Sequence, residues 1–272
     1  RFKPDIFIFT HPFPVVGYRQ SLKVPAWTII TDYSFHPIWY NPKIRGYFVA
    51  NTETQEQLCK TNYPMDRVFD TGIPLKKSFS NTKNIDRSHT KSDNHKPLIL
   101  IMGGGLGIGG LKEIVDELDK LDYPFESIVL TGKNHSLYQD MISSFKKNKT
   151  LRWSVLQFSN DIHLLMRKAS LLISKAGAIT LTEALVSNLP TIIYKPIPGH
   201  EEENARFACK QEWAIWAKNS TDLILTTESL LSSPEKLARM RQKSAQFSKP
   251  FSTRNITRII TNEVALPMEK SL

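Results

Sequence analysis

Three stretches of the sequence hold residue types that can grip an anion or a sugar. The first is LILIMGGGLGIGG, residues 98–110, an apolar run that ends in a glycine cluster. Glycine at a strand-to-helix turn lets backbone N–H groups approach an anion, and the following helix adds its positive N-terminal end. The literal pattern G-x-G-x-x-G runs from Gly105 to Gly110. That physics serves a dinucleotide, another diphosphate, or a plain turn with no ligand. A dinucleotide site also wants an acidic residue at the end of the next strand, to hold a ribose hydroxyl. Here that run ends LTGKN, with Lys133 and no acid. Lys133 would suit a 2′-phosphate, which keeps an NADP-dependent oxidoreductase open.

The second stretch is SKAGAITLTEAL, residues 174–185. Gly177 and Ala178 open a helix there, and Glu183 within it could accept two ribose hydroxyls or simply face solvent. The third is KPIPGHEEENARF, residues 195–207, where Gly199 starts a helix carrying His200, Glu201 and Asn204. Those polar groups suit sugar hydroxyls as well as a solvated helix face. All three stretches follow apolar runs. If the runs are strands of one parallel sheet, the three turns share its carboxyl edge, where ligands bind. Earlier in the chain, His11, Asp32 and His36 follow two other apolar runs and could each take a proton from an attacking hydroxyl. Asp32 could equally cap a turn, and His36 could pack beside Trp39.

The elements that must position these groups alternate. PDIFIFT, WTIITD, GYFVAN and RVFDTGIP read as strands, with TETQEQLCK as a helix capped by Thr52. Residues 76–96 are polar and rich in Ser, Asn and Lys, a linker or surface loop. Alternation then resumes from PLILIMG to AIWAK, and the tail holds helical patterns at SPEKLARMRQKSAQF and STRNITRIITNEVA. Continuous apolar strands between helices mean an α/β fold with parallel, doubly wound sheets. The expected division is residues 1–75, a linker at 76–96, a second domain at 97–250 and a C-terminal helix within 251–272 that could pack back on the first domain. Only about 75 residues precede the linker, short of the roughly 100–150 of a full domain, so the first domain is expected to be incomplete.

Bulk properties narrow the partners. The 272 residues carry a formal charge of +10. Scattered base suits nucleic acid or anionic lipid. No zinc finger, RNA-binding aromatic signature or basic helix accompanies the charge, which favours a lipid surface over nucleic acid. Cys59 and Cys209 lie far apart, so they form no disulfide framework or metal cluster and read as reduced cytosolic thiols. No apolar stretch approaches the ~20 residues that span a bilayer, so any membrane contact is expected to be peripheral. Phe13, Tyr18, Phe35, Trp39 and Tyr40 could line an acyl path, though core packing explains most such residues.

Taken in order, KPDIFIFTHPFP, TDYSFHPIWY, YFVANTE, TGIPLKKSF, LILIMGGGLGIGGLKE, VLTGKN, SKAGAITLTEAL and IIYKPIPGHEEENA resemble glycosyltransferase family 28. Within it the pattern is similar to the diacylglycerol glucosyltransferases and monogalactosyldiacylglycerol synthases. The resemblance implies a GT-B fold, two Rossmann-like domains facing a cleft. It implies a UDP-sugar donor, UDP-glucose or UDP-galactose, with no metal and no other cofactor. Gly104, Gly105 and Gly107 would approach the diphosphate. The segment from Phe158 to Ile162 would flank the uracil, Glu183 would hold the ribose, and His200, Glu201 and Asn204 would contact donor sugar or phosphate. Relatives commonly carry Gln where His200 stands. The implied acceptor is diacylglycerol or monoglycosyldiacylglycerol, used by inverting transfer at the cytoplasmic face of the membrane. Another lipid acceptor, or a truncated UDP-sugar-binding homologue without activity, fits the same motifs. The family's N-terminal glycine loop, with its own histidine, would precede Arg1, so the base is expected there as well as among His11, Asp32 and His36.

Overall fold

The computed structural model describes residues 3–19, 24–80, 96–104, 110–148 and 152–265. The chain divides into two compact units, residues 1–80 with 249–272, and residues 81–248.

The first unit holds a parallel sheet of β1 (Phe7–Phe9), β2 (Ala26–Ile29), β3 (Gly46–Val49) and β4 (Val68–Asp70), in that spatial order. Strict alternation sorts its side chains. Ala26, Tyr47 and Val49 join Ile30 and Val68 in a core under the helices α1 (Pro12–Gly17) and α2 (Thr52–Cys59). Trp27, Ile29 and Phe48 point to the other face, as the period-two geometry of a strand requires. Gly46 pairs directly with Trp27 across the sheet, and a Cβ there would overlap the indole ring. The second face is covered by the C-terminal helix, which contributes Ile256 and Ile260. That helix starts where Ser252 Oγ donates to the Gly72 carbonyl at 2.6 Å and Thr253 Oγ1 to the Leu75 carbonyl at 2.7 Å. Lys249 pairs with Asp70, and Arg45 with Glu263 at 2.9 Å. Phe79 is buried in a short 3-10 turn, Lys77–Phe79, which belongs to this unit, and residues 81–95 of the expected linker lie outside the described ones.

The second unit holds a six-stranded parallel sheet: β5 (Leu98–Met102), β6 (Glu126–Leu130), β7 (Trp153–Leu156), β8 (Leu171–Ser174), β9 (Thr191–Tyr194) and β10 (Ala214–Ala217). Its spatial order is β7-β6-β5-β8-β9-β10, so the winding reverses between β5 and β8. Helices on both faces explain the nearly continuous apolar strands LILIM, LLIS and TIIY. The helices are α3 (Leu111–Leu118), α4 (His135–Asn148), α5 (Ile162–Lys168), α6 (Ala178–Val186), α7 (His200–Lys210), α8 (Ser220–Leu231) and α9 (Pro234–Phe247); the helix of the first unit's second face is α10 (Ser252–Ala265).

One local detail differs from the sequence reading. The cap of α2 is Asn51, whose Oδ1 accepts from Thr54 N at 2.8 Å, with Thr52 as the first helical residue. Asn51 wins because it spans two partners at once: its Nδ2 also donates to the Tyr33 carbonyl at 2.9 Å. Of the five aromatics weighed for a lipid path, Tyr18 and Trp39 are core, Phe35 and Tyr40 pack against that core, and Phe13 stands out 69% exposed.

Candidate functional site

A parallel sheet leaves a crevice where its strand order reverses, outside the carboxyl ends of the flanking strands. In the second unit that point lies between β5 and β8, with β9 beside β8. The three glycine-bearing stretches follow these three strands, so the sheet brings them to one rim. Gly105 and Gly107 lie outside the described residues; Gly104 and Gly110, which flank them, both take the left-handed conformation, with φ of +71° and +69°. Gly177 caps α6, and Gly199, at φ +92°, caps α7.

Beneath the rim lies a buried ion pair. Glu201, 3% exposed, takes a hydrogen bond from Lys175 Nζ on Oε1 at 2.5 Å and from the Ile197 N–H on Oε2 at 2.9 Å. The carboxylate thereby closes the KPIPG turn on itself and sits in the first turn of α7, where the helix dipole favours negative charge. Asn204, fully buried one turn on, donates Nδ2 to the Ala176 carbonyl at 3.3 Å. Ser174 Oγ donates to the Met102 carbonyl at 2.8 Å and ties β8 to β5 at the reversal itself. Glu201 and Asn204 thus hold the second and third turns together from below, and His200 is exposed beside them. Glu183 is half-buried on α6 and Ala178 is buried at its start.

A second pair closes the far end of the glycine loop. Glu113 of α3 accepts from Tyr194 OH at 2.6 Å and pairs with Lys195. Those hydrogen bonds, Lys195 first, hold the Glu113 carboxyl below its ordinary range, and Glu113 raises Lys195 in return. Burial, reinforced by Glu113, pushes the Tyr194 phenol up, so it stays a donor. Lys195 reaches Glu113 from a left-handed backbone, φ +49°. The sequence alone does not single out Lys175 or Lys195, because a lysine closing a strand ordinarily reads as solvated.

The remaining candidates spread more widely. Lys133 is exposed after β6, on the opposite side of β5 from β8. Phe158, 55% exposed, and half-buried Ile162 bracket the entry to α5. In the first unit, His11 and His36 are caps: Nδ1 of His11 accepts from Phe13 N at 3.3 Å and Nδ1 of His36 from Ile38 N at 3.2 Å. A ring whose Nδ1 accepts carries its neutral-state proton on Nε2. Asp32 is half-buried after β2. Among the described residues no three His, Cys, Asp or Glu side chains are grouped to hold a metal ion.

Residues 98–256 match the family described as Glycosyltransferase family 28 C-terminal domain. The chain belongs to glycosyltransferase family 28. Residues 1–75 match Monogalactosyldiacylglycerol (MGDG) synthase. A processive diacylglycerol beta-glucosyltransferase of Bacillus cereus is 32% identical over 256 residues, which cover 91% of this chain and 66% of that protein. The chain therefore spans just under two thirds of that relative. Among solved structures, MurG of Acinetobacter baumannii superposes with a TM-score of 0.66 at 17% identity, covering 89% of this chain and 69% of that one. MnaA of Staphylococcus aureus, solved with UDP, gives 0.69 at 15% identity, covering 98% and 78%. These likenesses show the fold class, GT-B, with two Rossmann-like α/β units. Family membership leaves the oxidoreductase reading of GLGIGG without support.

Proposed function

We propose that this chain carries the nucleotide-sugar half of a transferase that moves glucose from UDP-glucose to diacylglycerol, forming membrane glycolipid. The observation that carries the reading is the meeting of three glycine-bearing turns where the strand order of the second sheet reverses, over a buried Glu201 and Asn204. Support for the acceptor comes from the activity for which the Bacillus cereus relative is named and from the match of residues 1–75.

In this reading the turns after β5, β8 and β9 surround a uridine diphosphate. Backbone N–H groups at Gly104 and at the starts of α6 and α7 stabilise the charge that develops on the leaving diphosphate, the part a metal ion plays in other transferases. Glu183 takes the ribose hydroxyls, and Phe158 and Ile162 flank the base. His200 faces the donor sugar. The acceptor hydroxyl attacks the anomeric carbon with inversion and gives its proton to a base, for which Asp32, His11 and His36 are the candidates of the first unit. The two histidines would have to release their caps to serve. A chain of charge +10 with exposed Phe13 and Val16 on α1 suits peripheral contact with an anionic membrane, at its cytoplasmic face.

Calorimetry with UDP tests the donor side. The chain should bind UDP, and Glu183→Ala should weaken binding by about 1–3 kcal/mol, the scale for leaving polar groups unpaired; unchanged affinity removes Glu183 from the site. Transfer of labelled hexose to diacylglycerol in anionic vesicles, with UDP-glucose and UDP-galactose in parallel, tests acceptor and sugar. Label from UDP-galactose alone would replace glucose with galactose.

A further inference from the structure

The glycine turn after β5 has a cation laid across it. Gly104 has no side chain, and the position a Cβ would occupy is 3.1 Å from Lys175 Cε and 3.9 Å from its Nζ. The lysine therefore runs over bare backbone at the reversal point, and a Cβ at 104 would crowd its Cε. Its side chain is 18% exposed, unusual for a lysine at a strand end. Glu201 fixes the ammonium there through one hydrogen bond at 2.5 Å. An ammonium has three donors, and among the described residues Glu201 takes one of them.

The other end of the same turn provides a contrast. Gly110 faces Lys195 Cδ at 3.5 Å and Glu113 Oε2 at 3.6 Å. That pair is similar in composition but lies in the open, with Lys195 51% and Glu113 36% exposed. Burial and position distinguish Lys175: it lies at the crevice, while Lys195 closes the outer end of the loop.

We propose that Lys175 is the cation that meets the donor's diphosphate at the β5 turn, with Glu201 as the positioning residue that orients it. A partly desolvated, pre-oriented ammonium beside the Gly104 backbone favours a group with two or more negative charges over the neutral nucleoside. This rests on the donor reading above. Glu201, both of whose oxygens are engaged, then acts on the donor through the lysine as well as through the shape of the KPIPG turn.

Calorimetry with UDP and with uridine, on the same chain, separates the possibilities. Lys175→Met should weaken UDP binding by about tenfold or more, as loss of a charged hydrogen bond to an anion does, and leave uridine binding unchanged. The double variant Lys175→Met/Glu201→Gln removes both charges of the pair, so no buried carboxylate is left uncompensated. If the lysine meets the diphosphate, the double variant stays as weak toward UDP as the single one. Recovery of UDP affinity in the double variant, an equal fall for UDP and uridine, or an unchanged UDP affinity in Lys175→Met would each overturn the proposal. A wild-type chain that binds neither UDP nor uridine would sink the donor reading itself. Lys195→Met should change UDP affinity less than Lys175→Met; the reverse order would give the diphosphate to Lys195 instead.

Discussion

In the first sheet, strands that follow one another in the chain lie side by side, β1-β2-β3-β4; in the second, the order turns back between β5 and β8. The strands themselves are alike: short, parallel and apolar. What differs is what their carboxyl ends are free to do. In the first unit those ends are spent locally: His11 and His36 cap short turns, Asn51 caps α2 and reaches Tyr33, and Asp70 pairs with Lys249. In the second unit the order reverses between β5 and β8, and the buried Glu201 pairs with Lys175 at the carboxyl end of β8. Packing stabilises the first sheet, through stacked Trp27 and Phe48 beneath α10; polar bonds across three elements organise the rim of the second.

That contrast can be broken most directly at Glu201. Glu201→Ala leaves Lys175 without its partner and the Ile197 N–H without its acceptor. Removing one member of a buried pair costs about 3–5 kcal/mol, read as a lower denaturation midpoint of the second unit. A loss under about 1 kcal/mol, the scale of an exposed pair, would mean that the rim is not organised by charge.

The matching test in the first unit is steric. Gly46→Ala places a methyl group against the Trp27 ring, which also packs against Phe48 and Phe69. Overpacking of this kind costs about 1–3 kcal/mol. UDP affinity should not change, since Gly46 lies in the first sheet against Trp27 of its own unit. Parallel loss of stability and nucleotide affinity would show that the two sheets do not divide the work as described.

The same division explains what the sequence could reveal. Strands β5, β8 and β9 are legible because burial on both faces demands nearly continuous apolar runs, and the glycine after each marks where the chain turns at the rim. Helix α8 is not: STDLILTTESLL is rich in Ser and Thr, and it is helical because Leu223, Thr227, Leu230 and Leu231 are buried on one side. Helix α1 is hidden by two prolines in six residues, tolerable only because both lie in the first turn. Glycines and a helix-start carboxylate could be picked out as site residues, since their types carry the chemistry. Lys175 could not, because its role depends on burial against Gly104 and Glu201, twenty-six and more residues away in the chain. The one available signal is a lysine between the strand LLIS, buried throughout, and the small residues Ala176 and Gly177, a setting with little solvent to receive it.

The smallest effect concerns the exposed pair that ends the glycine loop. Lys195 and Tyr194 hold the Glu113 carboxyl below its ordinary range in the folded chain. A depressed carboxyl adds stability that is present above its unfolded value and is lost as pH falls through the folded one. Lys195 is raised, so its share is present below the ordinary lysine range and is lost only as pH climbs through the higher folded value. Between those limits the contribution is flat. Half-exposed partners keep it to about 0.5 kcal/mol or less. Denaturation midpoints of the wild type and Glu113→Gln should therefore differ slightly near neutral pH and converge only as pH falls through the lowered folded value, below the ordinary carboxyl range. Added salt should narrow the neutral gap. A gap that persists in acid, or that grows with salt, would mean that Glu113 acts through the shape of the α3 start rather than its charge, and would remove the electrostatic contrast between the two ends of the loop.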